Sequence, residues 1–202
     1  TPVAVAGLSG VAHIAVGHEH SCAALTNGTA KCWGRNGFGR LGDGTTVSRM
    51  SPVSVVGLTN VARVAAGGAY SCSVLADGTV KCWGANALSQ LGDGTTFGRL
   101  TPVTTVGVSG IAEIDAGYAH TCAFDDVNDL VDCWGYNYWG QLGDGTSTNR
   151  STSNQVPGWN DPMLLGAGTG DSGTVGVRGV PDGRGQMRDG QVASGTGPAR
   201  WK

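Results

Sequence analysis

Apolar and polar residues alternate along most of this chain in short runs broken by glycine, a pattern of strands and not of helices. Val61–Ala66 and Tyr70–Leu75 read as two strands, residues 80–83 as a third and residues 102–106 as a fourth. Ala76-Asp77-Gly78, like Thr26-Asn27-Gly28 before it, fits a three-residue hairpin loop: a type I turn followed by glycine in the left-handed conformation.

The pattern returns with a period of about fifty residues. Thr1-Pro2-Val3 recurs as Ser51-Pro52-Val53 and Thr101-Pro102-Val103, and Cys32-Trp33-Gly34 as Cys82-Trp83-Gly84 and, after one inserted residue, Cys133-Trp134-Gly135. Leu-Gly-Asp-Gly-Thr starts at Leu41, Leu91 and Leu142. The repeats are therefore 1–50, 51–100 and 101–150, with a degenerate fourth starting at Arg150 and fading by about residue 160. There Ser153 replaces the proline, Trp159 stands in the place of Leu58, and Gly173 falls where the next cysteine is due. Four short strands per period suit a propeller blade. The expected fold is all-β, a partial or open β-propeller of three blades. Residues 161–202, with eleven glycines, one aromatic residue and no cysteine, read as a glycine-rich tail of loop or disorder, because so little apolar material does not offset the entropy of ordering.

The hairpin register places the cysteines. With Leu25 and Thr29 flanking the first loop, counting outward sets Cys22 opposite Cys32 in a non-hydrogen-bonded pair, where the Cα atoms approach to about 4.5 Å. A disulfide fits that separation. Cys72 faces Cys82 in the same way, and Cys122 faces Cys133 if the inserted residue enlarges the third loop to four. Three bridges imply an extracellular, surface or periplasmic setting. The alternative is six small buried thiols in a cytoplasmic protein. Zinc is disfavoured, because no histidines recur beside every cysteine pair to complete a four-ligand site.

Composition narrows the function. A formal charge of −2, on thirteen basic and fifteen acidic residues, supplies no basic face for a phosphate backbone, so nucleic acid is not an expected partner. No run of apolar residues is long enough to span a membrane, and residues 1–20 lack the cationic start of a signal peptide. Thr1 enters at the first repeat position, which reads as a processed end or a piece of a longer protein.

Taken together, a glycine followed by histidine or tyrosine, Ser/Thr-Cys, the Asp-Gly turn, Cys-Trp-Gly-x-Asn and Leu-Gly-Asp-Gly-Thr resemble the RCC1 repeat, in a cysteine-bearing form similar to that of bacterial surface or secreted proteins. The resemblance covers residues 1 to about 160. It implies a propeller that in the family closes with seven blades, roughly 350 residues; three copies leave open edges through which self-association is possible. The founder's branch implies guanine-nucleotide exchange on a small GTPase and chromatin binding. The loop residues on which exchange depends have no match here, and residues 1–160 hold eight basic against eleven acidic side chains.

No cofactor is implied and no catalytic site is expected. Gly170-Asp171-Ser172-Gly173 reproduces the tetrapeptide around a serine-protease nucleophile, but all four histidines lie in the repeats and the tetrapeptide in the tail. His18-Glu19-His20 offers two imidazoles, yet His20 and His120 share a repeat position with Tyr70, which asks for a ring with a polar tip and not a metal ligand. Asp43, Asp93 and Asp144 are read as turn formers in preference to calcium ligands. Trp33, Trp83 and Trp134 are read as packing between blades. The copies differ between Trp-Gly and Leu-Gly-Asp-Gly, and variable loops on a rigid repeat are where binding is expected. Tyr136, Tyr138 and Trp139 form the first candidate cluster, with Arg35, Phe38 and Arg40 as a second; arginine and the large aromatics are enriched at binding hot spots. A protein partner is the expected ligand.

Overall fold

The structure, a computed structural model, describes residues 1–156 and the backbone of two further strands at Pro162–Ala167 and Val175–Gly179. Three four-stranded antiparallel sheets follow one another, each with its strands in sequence order. The first holds β1 (Val11–Val16), β2 (His20–Leu25), β3 (Ala30–Gly34) and β4 (Arg49–Ser54). The second holds β5 (Val61–Ala66), β6 (Tyr70–Leu75), β7 (Val80–Gly84) and β8 (Arg99–Thr104), and the third β9 (Ile111–Ala116), β10 (His120–Asp125), β11 (Leu130–Gly135) and β12 (Arg150–Gln155). The last two strands, β13 (Pro162–Ala167) and β14 (Val175–Gly179), pair with each other. No helix occurs among the described residues.

The hairpins close as the loop chemistry requires. In the first, Leu25 N donates to Thr29 O (2.8 Å) and Gly28 N to Leu25 O (2.9 Å), with Gly28 at φ 76°. Cys22 thereby faces Cys32, Cys72 faces Cys82 and Cys122 faces Cys133. Each pair is a disulfide, with Cα atoms 4.1, 4.0 and 4.2 Å apart. The third loop, between Asp125 and Leu130, holds the expected fourth residue.

The fourth strand of each repeat starts earlier than its apolar residues indicate. β8 begins at Arg99 and ends at Thr104, not 102–106. It is pinned where Arg99 pairs with Gly84, and just past its end Thr105 still donates its N–H to Val80 O (3.0 Å) while its hydroxyl donates to Leu91 O (3.0 Å). Pro102 is tolerated because β8 is an edge strand, where a missing N–H costs no ladder bond. The third strands end in a bulge at Gly34, Gly84 and Gly135, each at φ near 100°. A Cβ on Gly84 would lie 2.6 Å from the Tyr70 Cα, so the position demands glycine.

Core lies between successive sheets. Cys22, Cys32 and Leu41 of the first sheet and its long loop, with Val55 just after β4, bury against Val61, Val64 and Trp83 of the second sheet. Tyr70, Cys72, Val74 and Leu91 bury likewise against Ile111, Ile114 and Trp134. Trp83 and Trp134 thus pack between repeats, as the sequence indicates, whereas Trp33 is half-buried and belongs to neither of these clusters. First strands sit nearest the neighbouring sheet: β5 lies against β1 and β2, β9 against β5 and β6, and β13 against β9 and β10. The last contact continues the series past residue 160, where β13 and β14 are strands in a stretch expected from its composition to be loop or disorder. The remainder of the tail, including Gly170-Asp171-Ser172-Gly173 and Trp159, lies outside the described residues.

Candidate loop face

Each repeat sends two connections to the same end of its sheet: the turn between its first and second strands and the long loop between its third and fourth. Their contact is direct, since Arg35 N donates to Glu19 O (2.9 Å), with the same bond from Ala85 to Ala69 and from Tyr136 to Ala119 (2.9 Å each).

A buried asparagine holds each long loop in shape. The Asn86 amide donates to Asp93 Oδ1 and Thr95 O (3.0 Å each), while its Oδ1 accepts from Leu91 N (3.0 Å). Asn36 and Asn137 do the same in their own repeats. The aspartates of Leu-Gly-Asp-Gly-Thr complete the clamp. Asp93 Oδ1 accepts from Thr95 N and Oγ1 (3.0 and 2.7 Å), and Oδ2 takes two bonds from Arg99 (2.9 and 2.7 Å). Asp43 pairs with Arg49 and Asp144 with Arg150 in the same way. Burial raises the pKa of these carboxyls, but the threonine and arginine hydrogen bonds outweigh it and hold all three below the ordinary aspartate value. Both oxygens of each carboxylate are therefore engaged within the protein. The three arginines recur six residues after each aspartate, a spacing present in the sequence but not used to locate them.

On this scaffold the copies differ. Tyr138 and Trp139 are 62% and 45% exposed, with Tyr136 half-buried beside them. Their rings form one cluster: Tyr136 stacks parallel to Tyr138 at 6.4 Å, and Trp139 stands edge-on to Tyr138 at 4.8 Å. Phe38, 59% exposed, holds the Trp139 position in the first repeat, and Arg35 reaches out to Glu19 Oε1 (2.7 Å). Arg40 is placed differently from an accessible loop residue. Only 2% exposed, it bonds Glu19 Oε2 and the Gly68 carbonyl of the next repeat (3.1 Å each) and passes 5.8 Å from the Phe38 ring. A guanidinium so committed holds the first two repeats together and is not offered to a partner; Gln90 and Gln141, at the same repeat position, are buried too.

The histidines separate. His20 is buried, its Nε2 2.7 Å from Ser71 Oγ, whereas His18 is exposed and meets the Tyr118 ring edge-on at 6.1 Å. Burial, reinforced by the Arg40 charge, lowers the His20 pKa to about 4, and burial alone does the same for His120. No group of three or more histidine, cysteine, aspartate or glutamate side chains arranged to hold a metal occurs among the described residues.

Successive four-stranded antiparallel sheets, packed face against face with their first strands innermost, define part of a β-propeller whose loops gather at one end. The chain belongs to the RCC1 repeat family. Two sequence profiles, both described as Regulator of chromosome condensation (RCC1) repeat, match it, one at residues 11–40 and 61–90 and the other at 27–74 and 77–124. Among solved structures it is similar to Prp20p from Saccharomyces cerevisiae, at 21% identity and TM-score 0.70, over 87% of this chain and 45% of that one. Human WBSCR16 gives 23% identity and TM-score 0.67, over 84% of this chain and 47% of that one. The chain thus spans less than half the length of either, and at such identity the likeness is one of fold. No curated protein matches it.

Proposed function

We propose that this chain is a non-catalytic protein-interaction module of an exported or surface β-propeller protein, and that it binds through the loop face centred on Tyr136, Tyr138 and Trp139, with Arg35 and Phe38 as a second cluster. The observation that carries the reading is the exposed, mutually packed ring cluster on a loop fastened by Asn137 and by the Asp144–Arg150 pair. Large amphipathic side chains held in place lose little entropy on binding, and each true hot spot is worth about 2 kcal/mol or more. Three disulfides favour an oxidising compartment. Charge favours protein over nucleic acid: of the eight basic side chains in residues 1–160, all except Lys31 and Lys81 are in ion pairs.

A pull-down from the source organism with the full chain, repeated with Tyr136→Ala, Tyr138→Ala and Trp139→Ala combined, tests this. Lost capture at a near-normal melting temperature supports it; a destabilised or aggregating variant would assign the rings to covering the sheet edge instead. Prp20p is described by its binding to Gsp1p and histones, which favours a second reading of this chain as a regulator of a nucleotide-binding protein. Cysteines found reduced in the native protein would turn the choice toward that reading.

A further inference from the structure

Asparagine is followed by glycine twice in the chain, at Asn27-Gly28 and Asn36-Gly37. In such a pair no side chain crowds the glycine nitrogen, which on losing its proton can attack the asparagine Cγ. The new N–C bond closes an imide ring and expels ammonia; water then opens the ring to aspartate or isoaspartate. The net change is amide plus water to carboxylic acid plus ammonia, and it needs no oxidant and no cofactor.

The fold gives the two sites opposite settings. Asn27 is exposed in the first hairpin loop, its Oδ1 accepting from Thr29 N and Oγ1 (3.1 and 2.8 Å). The second repeat already holds the acid at that position, where Asp77 Oδ1 accepts from Thr79 N (2.9 Å), so conversion of Asn27 to aspartate leaves the turn bonded. Asn36 is fully buried. Its Nδ2 donates to Asp43 Oδ1 (3.1 Å), Thr45 O (3.0 Å) and Val47 O (3.1 Å), and its Oδ1 accepts from Leu41 N (2.9 Å). The amide has to leave these bonds and meet water before Gly37 N can displace ammonia, so the closed loop protects it. A carboxylate oxygen in place of Nδ2 would face three oxygens, one of them on the Asp43 carboxylate, with no donor among them. A loop that closed on it would bury like charges without a hydrogen bond between them.

We propose that Asn36-Gly37 is a latent deamidation site, shielded while the first long loop is closed and, once that loop opens, converted to an acid that bars it from closing again. Nothing in the fold calls for the glycine, since Gly37 lies outside the left-handed region and a Cβ there would meet nothing within 4 Å. The other two repeats build the same clamp on Asn86-Ala87 and Asn137-Tyr138, where a side chain crowds the attacking nitrogen. The first repeat is therefore the one in which opening becomes irreversible. The effect reaches the second repeat, because the same loop carries Arg40, whose carbonyl accepts from the Ser71 hydroxyl and the Trp83 indole N–H across the joint between the two sheets (2.8 and 2.9 Å).

The test holds the full chain at mildly alkaline pH, folded in one arm and in guanidinium in the other, and follows each asparagine by peptide mass mapping. Asn36 is expected to convert about a hundredfold more slowly in the folded chain than in denaturant, where Asn86 and Asn137 should lag behind it. Refolding is then read in an Asn27→Asp background, which removes the other Asn-Gly pair. After dilution from denaturant, the fraction that fails to regain the native melting transition should match the fraction converted at Asn36. Gly37→Ala in that background should melt as its parent does and keep refolding throughout. Equal conversion of Asn36 in the two arms overturns the proposal, and so does a Gly37→Ala chain that loses refolding as fast as its parent. Converted chains that refold to the native melting temperature overturn it as well.

Discussion

Asn86 is buried within a loop, and two hydrogen bonds donated by its amide nitrogen, with a third accepted by its Oδ1 from Leu91 N, replace the regular ladder that the loop lacks. Asn86→Ala leaves the Leu91 N–H and a buried carboxylate short of a partner, and should cost about 3 kcal/mol in a denaturant titration. The asparagine is visible in Cys-Trp-Gly-x-Asn, but its role is not, because the groups that it joins lie up to nine residues away across an irregular turn. His20 and His120 allow a prediction in pH. With folded pKa values of about 4 against an ordinary 6.5, the unfolded chain binds protons that the folded chain refuses. Stability is therefore whole above pH 6.5, falls as the pH drops through that window and levels off below about 4, by up to roughly 3 kcal/mol per ring. His20→Tyr, which copies the second repeat, should flatten that fall when melting is followed between pH 7 and about 4.

Elements divide into those fastened within a hairpin and those fastened across a joint. The three disulfides belong to the first kind, each closing a loop of ten or eleven residues. Reduction should lower stability by roughly 2 to 3 kcal/mol per bridge by the entropic account, and calorimetry with and without reductant would read it; an unchanged melting temperature would mean that the bridges add nothing in solution. The tryptophans belong to the second kind. Trp83→Phe removes a buried donor to the Arg40 carbonyl and should cost about 1 to 2 kcal/mol. Trp33→Phe, the same change on the open face, should cost the isolated chain almost nothing. Equal losses at both positions would mean that the bond across the joint carries no stability.

For the whole molecule, β13 continues the series of first strands, and each such strand covers the sheet before it. Ending the chain after Gly179 should leave the melting temperature nearly unchanged, since residues 180–202 offer little apolar surface. Ending it after Val156 removes β13 from beside β9 and β10 and should lower it. A chain insensitive to both cuts would show that the fourth repeat adds nothing to the third.

Repeat length, strand order, hairpin register and the cysteine pairs were all determined by the sequence alone, because each depends on residues close together in the chain and is stated three times. Only the tertiary structure decided what each variable loop residue does. Arg35 and Arg40 are five positions apart in one loop, yet Arg35 stays exposed while Arg40 is buried under Glu19 and the Gly68 carbonyl. His18 and His20, two positions apart, divide in the same way between solvent and the Ser71 hydroxyl. The partner that buries each residue comes from a different turn or a different repeat, and periodicity does not encode which side chains a neighbouring repeat will cover.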